Sequence, residues 1–145
     1  MRCGPIRVLS ALHRGGRWVV LAGLWSVPAL ACEPPDLAAA TGAVRRVETA
    51  RHVLTLRPAP SPLPLNTPFA LDLGVCAQNG VAVSDPPKVD AWMPAHRHGM
   101  NYRPTVTALG PGRFRAEGLL FHMPGRWEVV VEIGGDRVPV PVDLK

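Results

Sequence analysis

The sequence predicts an all-β protein, and three observations carry that prediction. Apolar and polar residues alternate in about seven short runs, the pattern of half-buried strands. Turn-forming pairs separate those runs at short intervals, in a chain of 145 residues with 17 Pro and 14 Gly. No run after the leader has convincing helical spacing. A chain of this length is sized for one domain. The expected architecture is an antiparallel β-sandwich of about seven strands, divided into a leader at 1–31, a lead-in with the first strand at 32–65, and the sandwich core at 66–145.

The leader has the three parts of a secretory signal: Arg2 and Arg7 at its start, an apolar run from Trp18 to Leu30, and the small-residue pattern Ala29-Leu30-Ala31. The apolar run is shorter than the ~20 residues of a membrane-spanning helix, so no transmembrane span is expected in the mature chain. Removing the leader also removes four arginines, which leaves 12 basic against 11 acidic residues. The overall charge of +5 therefore belongs to targeting, and the expectation of a nucleic-acid partner falls with it. Cleavage after Ala31 makes Cys32 the first mature residue. Two readings follow: a disulfide between Cys32 and Cys76 in an oxidising compartment, or a lipid anchor on Cys32. Export, to the periplasm or otherwise out of the cytoplasm, is common to both.

The elements follow in order. Glu33 to Ala50 is Ala-rich and reads either as a short helix capped by Asp36 or as a loose lead-in. His52–Arg57 alternates as a strand, and the five prolines between Pro58 and Pro68 exclude a central strand or a helix there. Phe69, Leu71, Leu73 and Val75 share one face of the next strand, with Cys76 turned the other way or at its end. Gln78-Asn79-Gly80 and Ser84-Asp85-Pro86-Pro87 are turns leading to a strand at Val89–Met93. Strands at Pro104–Leu109 and Arg113–Phe121 flank the Gly110-Pro111-Gly112 turn, with Arg113, Arg115 and Glu117 on the wet face. Trp127–Ile133 is the strongest strand, burying Trp127, Val129, Val131 and Ile133 and exposing Glu128 and Glu132. Gly134-Gly135-Asp136 then closes a hairpin onto Val138–Val142, whose prolines suit an edge. Seven such strands match an immunoglobulin-like sandwich.

The chemistry concentrates in two windows. Met93-Pro94-Ala95-His96-Arg97-His98-Gly99-Met100 holds two His and two Met, and Phe121-His122-Met123-Pro124 adds one of each. Imidazole with thioether favours Cu(I), whereas imidazole alone also serves Cu(II) or Zn. His96 and His98 share a face if the chain is extended, and Gly99 allows the backbone to turn. The same residues also admit a structural reading: Met93 as core, His96 and His98 bonding loop carbonyls, His122 buried against its neighbours. Arg97 and Arg103 oppose a cation and are expected to pair with acids such as Asp90 or to stack on Tyr102. No nucleophile elbow is present, and a disulfide would disable Cys76, so no enzymatic activity is expected.

Together, Met-Pro-x-His-x-His-Gly-Met at 93–100 and Phe-His-Met-x-Gly-x-Trp-Glu at 121–128 resemble the YtkA-like family, close to FixH-like domains, over roughly residues 66–133. The resemblance implies a small exported β-sandwich that serves as an accessory of the bacterial envelope, with copper handling for an oxidase or an efflux component as its suspected role. Carried over residue by residue, the ligand set is Met93, His96, His98, Met100, His122 and Met123. FixH-like proteins keep a membrane helix, whereas here the apolar leader ends in a cleavage pattern, so a place in assembling a membrane oxidase does not carry over. The expectation is a copper-binding carrier or buffer whose partner is an envelope metalloprotein. The alternative is a metal-free interaction module.

Overall fold

In the computed structural model, residues 44–145 are described; the leader, Cys32 and the Asp36 helix start lie outside them. The described residues form nine strands in two antiparallel sheets and no helix. The strands are β1 (Arg45–Glu48), β2 (His52–Ala59), β3 (Phe69–Ala77), β4 (Lys88–Met93), β5 (His98–Gly99), β6 (Thr105–Gly110), β7 (Arg113–Leu119), β8 (Gly125–Ile133) and β9 (Asp136–Leu144). One sheet runs β1-β2-β3-β7-β6 and the other β5-β4-β8-β9.

All seven expected strands are present. The additions are β1 and β5, and neighbours explain both. β1 reads Arg-Arg-Val-Glu with only Val47 turned toward the core, so its own pattern is weak. It is a strand because β2 offers it a ladder, from Arg45 opposite Leu56 to Glu48 opposite Val53. The helical reading of the Glu33–Ala50 segment is thereby corrected for its described part, and the 32–65 segment supplies two strands to the sandwich. β1 pairs with β2 only as far as Leu56, which leaves Pro58 with a ladder on one side alone, against Leu71. A proline without an N–H is tolerated at such a locally free edge. At the other end of the fold, Pro139 and Pro141 lie in β9, an edge strand as expected.

The core lies between the sheets. Leu54, Leu56, Leu71, Leu73, Val75 and Phe114 come from one, Ala91, Met93, Trp127, Val129, Val131 and Val140 from the other. Of β8, Trp127, Val129, Val131 and Ile133 are buried and Glu132 faces water as expected, whereas Glu128 is only partly exposed and Val130 is buried on the opposite face.

One irregularity matters for the site. Phe114 and Ala116 face the core, so strict alternation would next turn residues 118, 120 and 122 inward. Instead Glu117 opposes Ala70 and Leu119 opposes Phe69, with a register shift between them. Gly118 is the extra residue, at φ 85°, a left-handed conformation that glycine takes without a Cβ clash. The bulge reverses the parity: Leu119 and Phe121 are fully buried and His122 is left at the surface of the core, partly exposed.

Candidate metal site at one end of the sandwich

Three histidines meet where β4, β5, the end of β7 and the start of β8 come together. β4 and β5 form a hairpin in which Met93 opposes His98. Residues 94–97 make its turn, closed by Met93 O accepting from the amides of His96 (3.2 Å) and Arg97 (2.9 Å). Arg97 takes φ 57°, so the left-handed residue of this loop is an arginine and not Gly99. Gly99 answers a different need: a Cβ there would sit 3.0 Å from Ala91 O, which also accepts the Met100 amide. The expectation that Gly99 turns the chain is therefore corrected; it permits close approach of two backbones.

The rings stand in a row. His96 and His98 have centroids 5.9 Å apart, and His98 and His122 are 5.0 Å apart. Trp127 lies against both His98 (5.7 Å) and His122 (5.3 Å), edge to face, and Phe121 and Phe69 continue the aromatic stack into the core. Trp127 is itself held by its Nε1–H donating to Met123 O at 3.0 Å. His98 Nδ1 lies 3.1 Å from Gly99 O. A carbonyl can only accept, so Nδ1 carries the proton and Nε2 keeps the lone pair, the arrangement that orients an imidazole ligand.

The three methionines of the predicted set divide. Met93 is core, 2% exposed, as its structural reading held, and its methyl occupies the space that a side chain at Gly125 would need. Met100 packs partly buried, and its Sδ accepts the Leu120 amide at 3.4 Å. Met123, next to His122, is also partly buried against the core. The six residues thus lie in one region of the fold, with His96, His98 and His122 in ring-to-ring sequence. Among the described residues, no group of three or more His, Cys, Asp or Glu is arranged to hold a metal ion.

No carboxylate pairs with these histidines among the described residues. The expected partnership of Arg97 or Arg103 with Asp90 is absent there too; Asp90 Oδ1 instead accepts the Ala91 amide at 2.8 Å. Ion pairs gather elsewhere. Asp72 bridges Arg57 (2.7 Å) and Arg115 (2.6 Å) on the outer face of the first sheet. The Arg115 guanidinium, bonded to Glu117 and then to Asp72, holds its proton more tightly than a free arginine.

Sequence reading passed over a second cluster. His52 Nδ1 donates to Asp136 Oδ2 at 2.8 Å, Arg51 engages the other carboxylate oxygen, and Thr49 Oγ1 caps the His52 amide at 2.9 Å. This joins the β1–β2 turn to the β8–β9 turn at the opposite end of the sandwich. Hydrogen bonds from Arg51 and then His52 hold the Asp136 carboxyl below its ordinary pKa. The available signals were one histidine opening a strand and one acid in a turn, 84 residues apart.

A two-sheet antiparallel sandwich with a histidine row at one end is the class of protein that these features define. Residues 66–132 match the model of the YtkA-like family. The match spans β3 through nearly all of β8 and includes every residue of the two His/Met windows. No curated protein and no solved structure matches the chain. No helix of the described residues is long and apolar enough to cross a membrane.

Proposed function

We propose that this chain is an exported periplasmic accessory protein that binds copper as Cu(I) and carries or buffers it, without catalysing a reaction. The observation that carries the proposal is the pair of imidazoles on Trp127, His98 and His122, without a carboxylate partner, one with its Nε2 lone pair set by a backbone carbonyl, at the end of the sandwich where Met100 and Met123 also pack partly buried. Soft and borderline donors without hard oxygen ligands favour Cu(I) over Zn or Ca. His98 and His122 are the inner pair in this reading, with Met100 or Met123 completing the coordination and His96 at the entrance.

The same proposal covers the finer fold and the setting. The orders β2-β3-β7-β6 and β5-β4-β8-β9 correspond to the A-B-E-D and C-F-G sheets of an immunoglobulin-like sandwich, with β5 as an added edge beside C and β1 beside A. Removal of residues 1–31 delivers the chain to the periplasm. Cys76, buried at 3% on the β3 face opposite Val75, bonds Cys32 there, with lipidation of Cys32 as the competing fate. The partner is an envelope metalloprotein, such as an efflux component, that accepts or supplies the ion.

Titration of the protein with Cu(I) against a competing chelator tests the central claim. The expected result is one ion per chain, lost in the H96A/H98A/H122A variant while the fold is kept. A wild type that does not compete for Cu(I) sinks the proposal. In that event the metal-free interaction module stands; it is favoured by the lack of a three-group metal arrangement among the described residues and by the exposure of Trp92 (37%) and Tyr102 (60%) on the segment flanking the histidines.

A further inference from the structure

The sandwich is not closed along the side where β2 faces β9. A cavity of about 510 Å³ opens there between the sheets. It is lined by Leu56 and Leu71 from one sheet, Val129 and Val140 from the other, and Leu63 of the proline-rich β2–β3 loop. Packed protein interiors hold few voids larger than a water molecule, and even the engineered cavity that binds benzene measures only about 150 Å³. An apolar space several times that size, open at one side and walled by two rigid sheets, has the dimensions of a ligand site.

The lining states what such a ligand must look like. No aromatic side chain lines the cavity among the described residues, so nothing in it stacks on a flat ring. Ten of the fourteen lining side chains are Leu, Val or Pro, which offer no hydrogen bond to a polar group held among them. The polar side chains of the lining are the Ser61 hydroxyl in the proline-rich loop and three charged groups at the strand ends, Arg45, Asp143 and Lys145. No ion pair among the described residues engages Arg45, which leaves its guanidinium unpaired at the mouth. The complement of an aliphatic slot with a cationic rim is an aliphatic chain ending in an anion.

We propose that this cleft binds a single saturated acyl chain, with its methyl end between Leu71 and Val129 and its carboxylate at Arg45. The assignment is independent of the copper reading, since none of the six His and Met residues lines the cleft.

Calorimetric titration of the purified full chain with dodecanoate, kept below its micelle concentration, is the test, with dodecanol as the uncharged control. The expected result is one dodecanoate per chain, at least tenfold tighter than dodecanol. Val140→Trp, which fills the slot, is expected to abolish binding. Arg45→Glu, at an exposed rim position where folding is not at stake, is expected to weaken dodecanoate at least tenfold and leave dodecanol unchanged. No heat of binding in the wild type overturns the proposal. So does dodecanol binding as tightly as dodecanoate, or dodecanoate affinity that is unchanged in Arg45→Glu. Should Val140→Trp fail to fold, the Arg45→Glu comparison decides the matter alone.

Discussion

The two ends of this sandwich treat the same residue type in opposite ways. At one end His52 is nearly buried, donates to Asp136, and has Gly134 packed against its ring. At the other end His96, His98 and His122 stand ring to ring, the last two on Trp127, with no acid among the described residues to satisfy them. A histidine given a carboxylate and a tight neighbour is a clasp between two turns. A histidine given a carbonyl at Nδ1 and nothing at Nε2 keeps a lone pair for something else. Position in the fold, and not residue identity, separates the structural histidine from the candidate ligands.

The largest effect is expected from Trp127→Ala. Trp127 is fully buried and touches both His98 and His122. Truncation should cost about 3–5 kcal/mol, as for other buried large-to-small changes, read as a lower urea midpoint, and should scatter the imidazole row. The comparison itself is tested by a crossed pair of variants. H98A/H122A should lose Cu(I) affinity at least tenfold, about 1.4 kcal/mol, with little change in unfolding midpoint. His52→Ala should lower the midpoint and leave Cu(I) affinity alone. Equal loss of Cu(I) binding in both would erase the distinction drawn between the two ends.

Gly118→Ala is the next test in size. An alanine at φ 85° meets no neighbouring atom but pays the left-handed backbone penalty, about 1–2 kcal/mol. Because the bulge is what turns His122 outward, the variant should weaken Cu(I) binding as well as stability. The smallest effect is expected at Asp136. Its carboxyl is harder to protonate in the folded chain than in the unfolded one. The stabilisation is therefore complete above the ordinary carboxylate pKa of about 3.9 and drains away as pH falls through the lower folded value. Urea midpoints of Asp136→Asn measured from pH 2 to 6 should lack this acid limb. An acid limb identical to the wild type would mean that the clasp adds nothing.

Much of the fold was legible because a half-buried strand announces itself every second residue. Phe69, Leu71, Leu73 and Val75 were readable as one face, and so were Trp127 to Ile133. β1 was not, since a single inward Val47 among charged residues has no period, and β5 was not, since two residues cannot show one. The site was legible as a cluster of residue types and illegible as a geometry. Met93 and Met123 occur in equivalent-looking motifs, yet Met93 is sealed under Gly125 while Met123 remains partly exposed. One signal was available and unused: the inward positions pass from Phe114 and Ala116 to Leu119 and Phe121, a change of parity across Gly118.

Residue order by itself determined the all-β class, most strand positions, the edge role of Val138–Val142 and the two windows where soft ligands collect, because each depends on local spacing along one chain. The tertiary structure decided which histidines gain a carboxylate, which methionine is core, how a bulge at Gly118 points His122 outward, and that a cleft stays open between β2 and β9. Those outcomes depend on contacts between residues far apart in sequence, for which no local period exists.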